Sequence, residues 1–359
     1  MRQLTFVKPG AFEWRDVPAP TLAADTDAIV KPIAVARCDL DLYIAAGITV
    51  YPGGAFAFGH ECVGEVVEAG PKAGVKPGER VIVPFQLSCG RCANCKRGYT
   101  NTCEAYPFRA AYGLKPLCGT EFGGALSDRM YVPFADHMLI RLPPNLDPVA
   151  VASAADNVPD GWRAVAPHLK TRPGANVLVV GGLAQSVALY AAGAAKSLGA
   201  ARVLYLDDDP IRRTHAKRFG IDVEPLALND RRDKAKANRG LAASGATFEQ
   251  FDITVDGTGN ADALDFIIAS TAPNGVCTSV AIYLTPTTPM PLTKMYSKGI
   301  TFITGRVHAR AELPAMIDCC ATGHFHPEHV TSRVVPFSQS AEAMTDSGPK
   351  LVFTNDWPA

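Results

Sequence analysis

Four of the ten cysteines in this 359-residue chain fall in one short stretch, Cys89-Gly90-Arg91-Cys92-Ala93-Asn94-Cys95 followed by Cys103. The spacing C-x2-C-x2-C-x7-C lets a single loop wrap four thiolates around one tetrahedral ion, and zinc is the ion such a set holds. Gly90 and Gly98 supply the tight turns. Four protein ligands leave no open coordination position, so this ion would be structural. Disulfides or a redox C-x-x-C pair are the competing reading. The third and fourth cysteines weigh against it, as does an N-terminus, Met1 to Gly10, with no apolar leader. A cytoplasmic protein with reduced thiols is expected.

A second stretch offers different chemistry. Val177-Leu178-Val179-Val180-Gly181-Gly182-Leu183-Ala184-Gln185-Ser186 runs from an apolar strand through glycines into an Ala-rich helix. The helix N-terminal amides at such a turn would face a pyrophosphate. The G-x-G-x-x-G spacing is only partly present: Gly181 stands first, Leu183 takes the second place and Ser186 the third. Ser186 is small enough for close helix–strand packing. Leu183 departs from the pattern where the backbone should come nearest the phosphates, with Gly182 beside it. Asp207 closes the next strand, Val203-Leu204-Tyr205-Leu206-Asp207. A carboxylate there accepts from an unmodified adenosine ribose and repels a 2′-phosphate, so NAD is expected ahead of NADP. The alternative for Asp207 is a turn residue after a strand. Asp208 and Asp209 add to the repulsion, while Arg212 and Arg213 could soften it.

The elements that must position these groups follow from the patterning. To about residue 150 the chain reads as short strands, such as Ala28–Pro32, Val63–Glu68 and Arg80–Pro84, separated by Gly and Pro. From about Ala154 the texture changes to strands (Val177–Val180, Val203–Leu206, Phe251–Val255, Val276–Ile282) alternating with helical segments such as Val187–Leu198, which implies βαβ units and a parallel sheet. The tail from Val307 holds a helical piece near Leu313–Cys320 and a last strand at Lys350–Phe353. Hydrophobic residues make up 47% and charged residues 19%, and Lys plus Arg balance Asp plus Glu at 35 each. That neutrality argues against nucleic acid or an acidic membrane surface as partner. The apolar run Val177–Ala195 changes period at its glycines and reads as a strand and a helix rather than a membrane span. Asn229–Gly240 is a charged, solvated segment. His324, His326 and His329 read as an exposed turn, and Cys319-Cys320 as packing.

Cys38, in Ala36-Arg37-Cys38-Asp39-Leu40-Asp41, and His60, in Phe58-Gly59-His60-Glu61-Cys62-Val63-Gly64-Glu65-Val66-Val67, would singly read as a buried small residue and a core histidine. Their order is more informative. A lone cysteine near residue 40, Gly-His-Glu opening a Val-Gly-x-Val-Val strand, a four-cysteine lobe and then a nucleotide-binding unit together resemble the zinc-containing medium-chain alcohol dehydrogenases. The resemblance runs over essentially the whole chain. It implies an α/β fold: a Rossmann-type doubly wound parallel sheet plus a β-rich GroES-like catalytic domain. The expected division is 1–154 for the GroES-like domain with its lobe, 155–306 for the nucleotide domain and 307–359 for a return to the first, with a substrate cleft between the domains.

The resemblance further implies a catalytic zinc on Cys38, His60 and Asp156, the last in Ala154-Ala155-Asp156-Asn157-Val158-Pro159, where a helix N-cap is the competing role. Glu61 matches a residue able to join the metal during ligand exchange, and Asp41 a carboxylate that fixes the His60 tautomer. With the lobe, that makes two zinc ions per chain. An open position on the catalytic ion would polarise an alcohol or carbonyl oxygen and favour hydride transfer to or from nicotinamide. A homo-oligomer, tetramer or dimer, acting on a small-molecule alcohol or carbonyl compound is also implied. One departure matters: where the family carries a Ser or Thr that passes on the alcohol proton stands Leu40, and the following relay position is Tyr43. General acid–base help is worth ~10²–10⁴ in rate. A carbonyl or conjugated-alkene reductase with an altered relay is therefore a rival reading, and a non-catalytic zinc- and nucleotide-binding protein a more distant one.

Overall fold

The computed structural model of the chain describes residues 1–48, 54–226 and 249–357. The charged segment Asn229–Gly240 lies outside the described residues. Two compact units form, Met1–Pro159 with Val307–Ala359, and Asp160–Arg306. The first boundary falls after Pro159 rather than Ala154, because Asp156 and Asn157 hydrogen-bond back to Cys38 and Lys350. No helix among the described residues is long and apolar enough to cross a membrane.

The first unit is β-rich. Its larger sheet has seven strands, with Arg333–Pro336, Leu351–Thr354, Ala28–Ala36, Glu61–Ala69, Arg80–Val83 and Ile140–Arg141 side by side and Met130–Val132 also paired to Ala28–Ala36. Alternating Val, Ile and Ala in the central strands turn a continuous apolar face inward, where Val30, Val35, Val66, Val81 and Phe353 join one core. Gly64 is required by close approach, since a Cβ there would meet the Lys31 carbonyl oxygen at 2.6 Å. Trp14 and Trp357, far apart in the chain, pack edge to face at 4.4 Å and lie against the apolar core of this unit.

The second unit is a six-stranded, wholly parallel sheet in the order Asp222–Pro225, Arg202–Asp207, Asn176–Val180, Phe251–Asp256, Thr271–Ser279, Thr301–Thr304. The first strand in sequence lies inside and the chain winds outward in both directions from it, the doubly wound Rossmann arrangement. Val177–Val180 is buried throughout, as a central parallel strand must be. The helix Gln185–Ser197 beside it is rich in Ala, Gly and Ser and buries ten of its thirteen residues. The strand read from sequence as Val276–Ile282 ends earlier, at Ser279, and Ile282 is exposed. The reason lies on the neighbouring strand: the Ser279 and Tyr283 hydroxyls both turn to donate to Asp256 Oδ2, at 2.7 and 2.8 Å.

Candidate active site and metal centres

Sheet register brings the distant donors together. Ala36 pairs with Glu61 and Val35 with Cys62, so Cys38 leaves its strand at the end where His60 enters the next. On the other flank Val352 pairs with Ala36, which sets Lys350 beside the same end. The Ala152–Ala155 turn hangs there by the Phe85 N–H donating to the Ala155 carbonyl at 3.2 Å, and delivers Asp156. One ligand atom each of Cys38, His60, Glu61 and Asp156 lies within 4.8 Å of the other three. All four residues are buried, His60 and Glu61 completely.

Asp156 Oδ2 stands 3.2 Å from Cys38 Sγ and 3.3 Å from His60 Nε2. On the far side of the ring, His60 Nδ1 faces Asp41 Oδ1 at 3.4 Å, and neither atom has a hydrogen-bond partner among the described residues. Asp41 is itself fixed by accepting from the Cys38 N–H at 3.1 Å. This is the disposition in which a carboxylate sets an imidazole tautomer and leaves Nε2 as the donor.

The electrostatics fit a divalent cation. Burial, followed by the charges of Asp156, Glu61 and Asp41, drives the Cys38 thiol well above its ordinary range. Burial lifts Glu61 to about 7 even though Lys350 opposes it. His60 reaches about 9: burial disfavours its charge, but Asp41 and Asp156 outweigh that. A thiol and two carboxylates whose negative charges repel one another, packed dry beside an imidazole, form a set that a 2+ ion relieves, and soft sulfur with imidazole and carboxylate suits zinc.

Several residues in this site carry no mark in the sequence. Lys350, wholly buried, donates to Glu61 Oε1 at 3.0 Å, to Asn157 Oδ1 at 2.7 Å and to the Arg37 carbonyl at 2.9 Å. The Ser153 hydroxyl donates to the other oxygen of Glu61. Lysine opening a buried strand was the one available signal, because a charge there demands a partner. Leu40 is partly buried and packs against the apolar core of the unit, so its position presents hydrocarbon.

The lobe is local. Cys89, Cys92, Cys95 and Cys103 converge within 4.8 Å, and backbone amides donate to their sulfurs: Arg91 and Cys92 to Cys89, Cys95 to Cys92, Cys89 and Ala105 to Cys103, at 3.3–3.4 Å. Burial opposes thiolate formation at Cys92, but amides of Glu104 and Cys95 overcome it and bring the thiol to about 6. Gly90 has φ +69°, and a Cβ on it would strike the His137 ring at 2.5 Å. The lobe also fits zinc. The two cysteine-containing groups are the only candidate metal-binding clusters among the described residues. His324 and His326 are exposed, and the three-histidine group does not converge.

In the second unit Gly181 and Gly182 sit at points of close approach: a Cβ would fall 2.0 Å from Asp207 Oδ2 at the first and 2.7 Å from Thr258 Cα at the second. The Ala184 N–H donates to the Gly257 carbonyl at 2.9 Å and the Leu183 N–H to the Thr258 carbonyl at 3.4 Å, so the turn is braced by the loop that leaves the neighbouring strand Phe251–Asp256. Ser186 is fully buried, as close packing requires. Asp207, also fully buried, accepts from Arg212 Nε at 2.8 Å, Arg212 Nη2 at 2.7 Å, Tyr205 Oη at 2.5 Å and the Asp209 N–H at 2.9 Å. Burial alone would raise its pKa, but the Arg212 pair holds it below the ordinary value. Arg212, read from sequence as able to soften the acidic cluster, is paired to it directly.

Residues 24–144 match the family model described as alcohol dehydrogenase GroES-like domain, and 186–322 that described as zinc-binding dehydrogenase. The chain is 32% identical over 269 residues to L-threonine 3-dehydrogenase of Streptomyces avermitilis, covering 72% of this chain and 70% of that one. It is 32% identical over 240 residues to glutathione-independent formaldehyde dehydrogenase of Pseudomonas aeruginosa, covering 63% of this chain but only 59% of that relative's length. The solved structure of alcohol dehydrogenase TADH from Thermus sp. ATN1 superposes with a TM-score of 0.85 at 27% identity, over 99% of this chain and all of that one.

Proposed function

The chain belongs to the zinc-containing medium-chain dehydrogenase family, and we propose that it interconverts a small-molecule alcohol and its carbonyl compound by hydride exchange with NAD. The convergence of Cys38, His60, Glu61 and Asp156 carries this reading. When bound there, zinc supplies a Lewis acid for the substrate oxygen and the nicotinamide supplies or accepts hydride. Cys38, His60 and Asp156 would hold the ion, with Glu61 a fourth donor kept close by Lys350 and Ser153. Asp41 fixes the His60 ring, and the four-cysteine lobe would take the second, structural zinc. Gly181, Gly182, Leu183 and Ser186 would shape the turn for the pyrophosphate, while Asp207, buried against Gly181 and paired to Arg212, would keep a negative charge beside the ribose position and favour NAD over NADP. A homo-oligomer, dimer or tetramer, in the cytoplasm suits the family and the ten thiols.

A second reading has one observation in its favour. Leu40 brings no hydroxyl to the position from which the family passes on the alcohol proton, so reduction of a carbonyl or a conjugated alkene by a different proton route is the alternative direction. One experiment tests both readings: metal analysis with a screen of alcohols against NAD⁺ or NADP⁺, and of aldehydes and enals against NADH. Two zinc ions per chain and turnover that chelation abolishes are expected. Undiminished turnover after complete metal removal would refute the proposal, and turnover of enals without alcohols would select the second reading.

A further inference from the structure

We infer that Asn157, aimed by Lys350, is a positioning residue that sets how strongly the Cys38 sulfur donates to the ion of the Cys38–His60–Asp156 centre. This rests on the metal-site reading above. Lys350 has three N–H donors and no acceptor, and all three are used: on the Arg37 carbonyl, on Glu61 Oε1 and on Asn157 Oδ1. The ammonium therefore dictates which way the Asn157 amide faces, because the reversed amide would turn its N–H groups toward a cation. With its oxygen committed, Asn157 Nδ2 points at Cys38 Sγ, 3.3 Å away, and at Asp156 Oδ2, 2.9 Å away.

Little water reaches these contacts, since Asn157 is 3% exposed and Lys350 not at all. The lysine is itself held in place: the guanidinium of buried Arg37 donates to the carbonyls of Met344, Asp346 and Gly348, which fixes the segment leading to Lys350. A neutral two-proton donor is what the neighbouring sulfur and carboxylate require, because a second cation at that point would compete with the metal for both. An N–H···S hydrogen bond also withdraws charge from the sulfur. Less charge then passes to the ion, which stays a stronger Lewis acid toward the substrate oxygen. Such a device suits a site whose Leu40 lends the substrate no hydroxyl.

The test uses the full protein with cobalt(II) in place of zinc, and reads the sulfur-to-cobalt charge-transfer absorption that depends on Cys38, isolated as the difference from Cys38→Ser. Asn157→Leu keeps the branched shape and removes the polar group, while Asn157→Asp keeps an oxygen for Lys350 and removes the donor. Both are expected to move the Cys38 band to lower energy, as a sulfur freed of its hydrogen bond gives up charge more readily. An unshifted band in either folded variant, or loss of the band or of the fold in both, overturns the inference. If the wild type shows no Cys38-dependent band, the metal-site reading itself fails, which is a separate result.

Discussion

The two donor clusters of the β-rich unit are assembled by opposite means. The four-cysteine lobe gathers its sulfurs from fifteen consecutive residues and steadies them with its own backbone amides, so nearly everything it needs is local. The Cys38–His60–Glu61–Asp156 cluster draws on three separate segments, and side chains from still further away, Lys350 above all, hold it together. Short-range ligands with amide hydrogen bonds make a closed site whose role is to hold the loop. Long-range ligands in a dry, charged network make a site whose donors can be tuned one at a time. The difference predicts which substitutions touch chemistry and which touch stability.

The sharpest way to break that contrast is to remove one sulfur from each cluster. Cys38→Ser is expected to cut turnover by about 10³-fold or more, the size of a lost Lewis-acid contribution of several kcal/mol, with the thermal midpoint nearly unchanged. Cys95→Ser should do the reverse, losing one zinc per chain and about 4 kcal/mol of stability while the folded fraction keeps turnover within about tenfold. Zinc analysis, calorimetry and steady-state rates on both variants decide the matter. Comparable activity losses in the two would erase the distinction between a chemical and a structural ion.

Lys350→Met comes next in size. The Lys350–Glu61 pair has no solvent exposure on either side, so removing the cation leaves a buried carboxylate uncompensated, at a cost of about 3 kcal/mol. Glu61→Gln added to Lys350→Met should recover much of that loss, because the charge to be compensated is then gone. Chemical denaturation of the two single variants and the double variant measures the coupling. Purely additive losses would mean that the pair is not the link holding the C-terminal strand to the cluster.

The same contrast explains what could be read from the sequence. Cys89 to Cys103 announces itself by spacing because its ligands are neighbours. The strands Ala28–Ala36 and Asn176–Val180 announce themselves by β-branched runs; the second falls within one residue of where patterning placed it, while the first runs four residues beyond the expected end at Pro32. Cys38 and His60 were visible only through the order of motifs. Lys350, Asn157 and Ser153 were not visible, since their roles arise from a register, Val352 against Ala36 and Ala36 against Glu61, that no local pattern encodes. The early end of the strand at Ser279 was hidden for the same reason: it depends on a carboxylate, Asp256, on the neighbouring strand. Asp207 was legible as a strand-end acid, but its fourfold set of donors was not.

Asp207 carries the comparison into the second unit with the smallest expected effect. Like Glu61, it is a buried carboxylate pinned by one cation, but Arg212 also lies within 3.5 Å of Asp208 and Asp209, so loss of one acid leaves it other partners. Asp207→Ser should therefore strand no cation, cost no more than the hydrogen bonds from Tyr205 and Asp209, and act mainly on cofactor choice. It removes the carboxylate that would repel a 2′-phosphate and frees part of a guanidinium that could receive one. The ratio of kcat/KM for NAD to that for NADP is expected to fall about 10- to 100-fold, or ~1.4–2.8 kcal/mol. Arg212→Ala supplies the opposite control, since it removes the cation, leaves the Asp207 side chain in place and should preserve the preference for NAD. A ratio unchanged in Asp207→Ser would show that cofactor choice is made elsewhere, and that this buried pair, unlike Lys350 and Glu61, serves only to hold the turn.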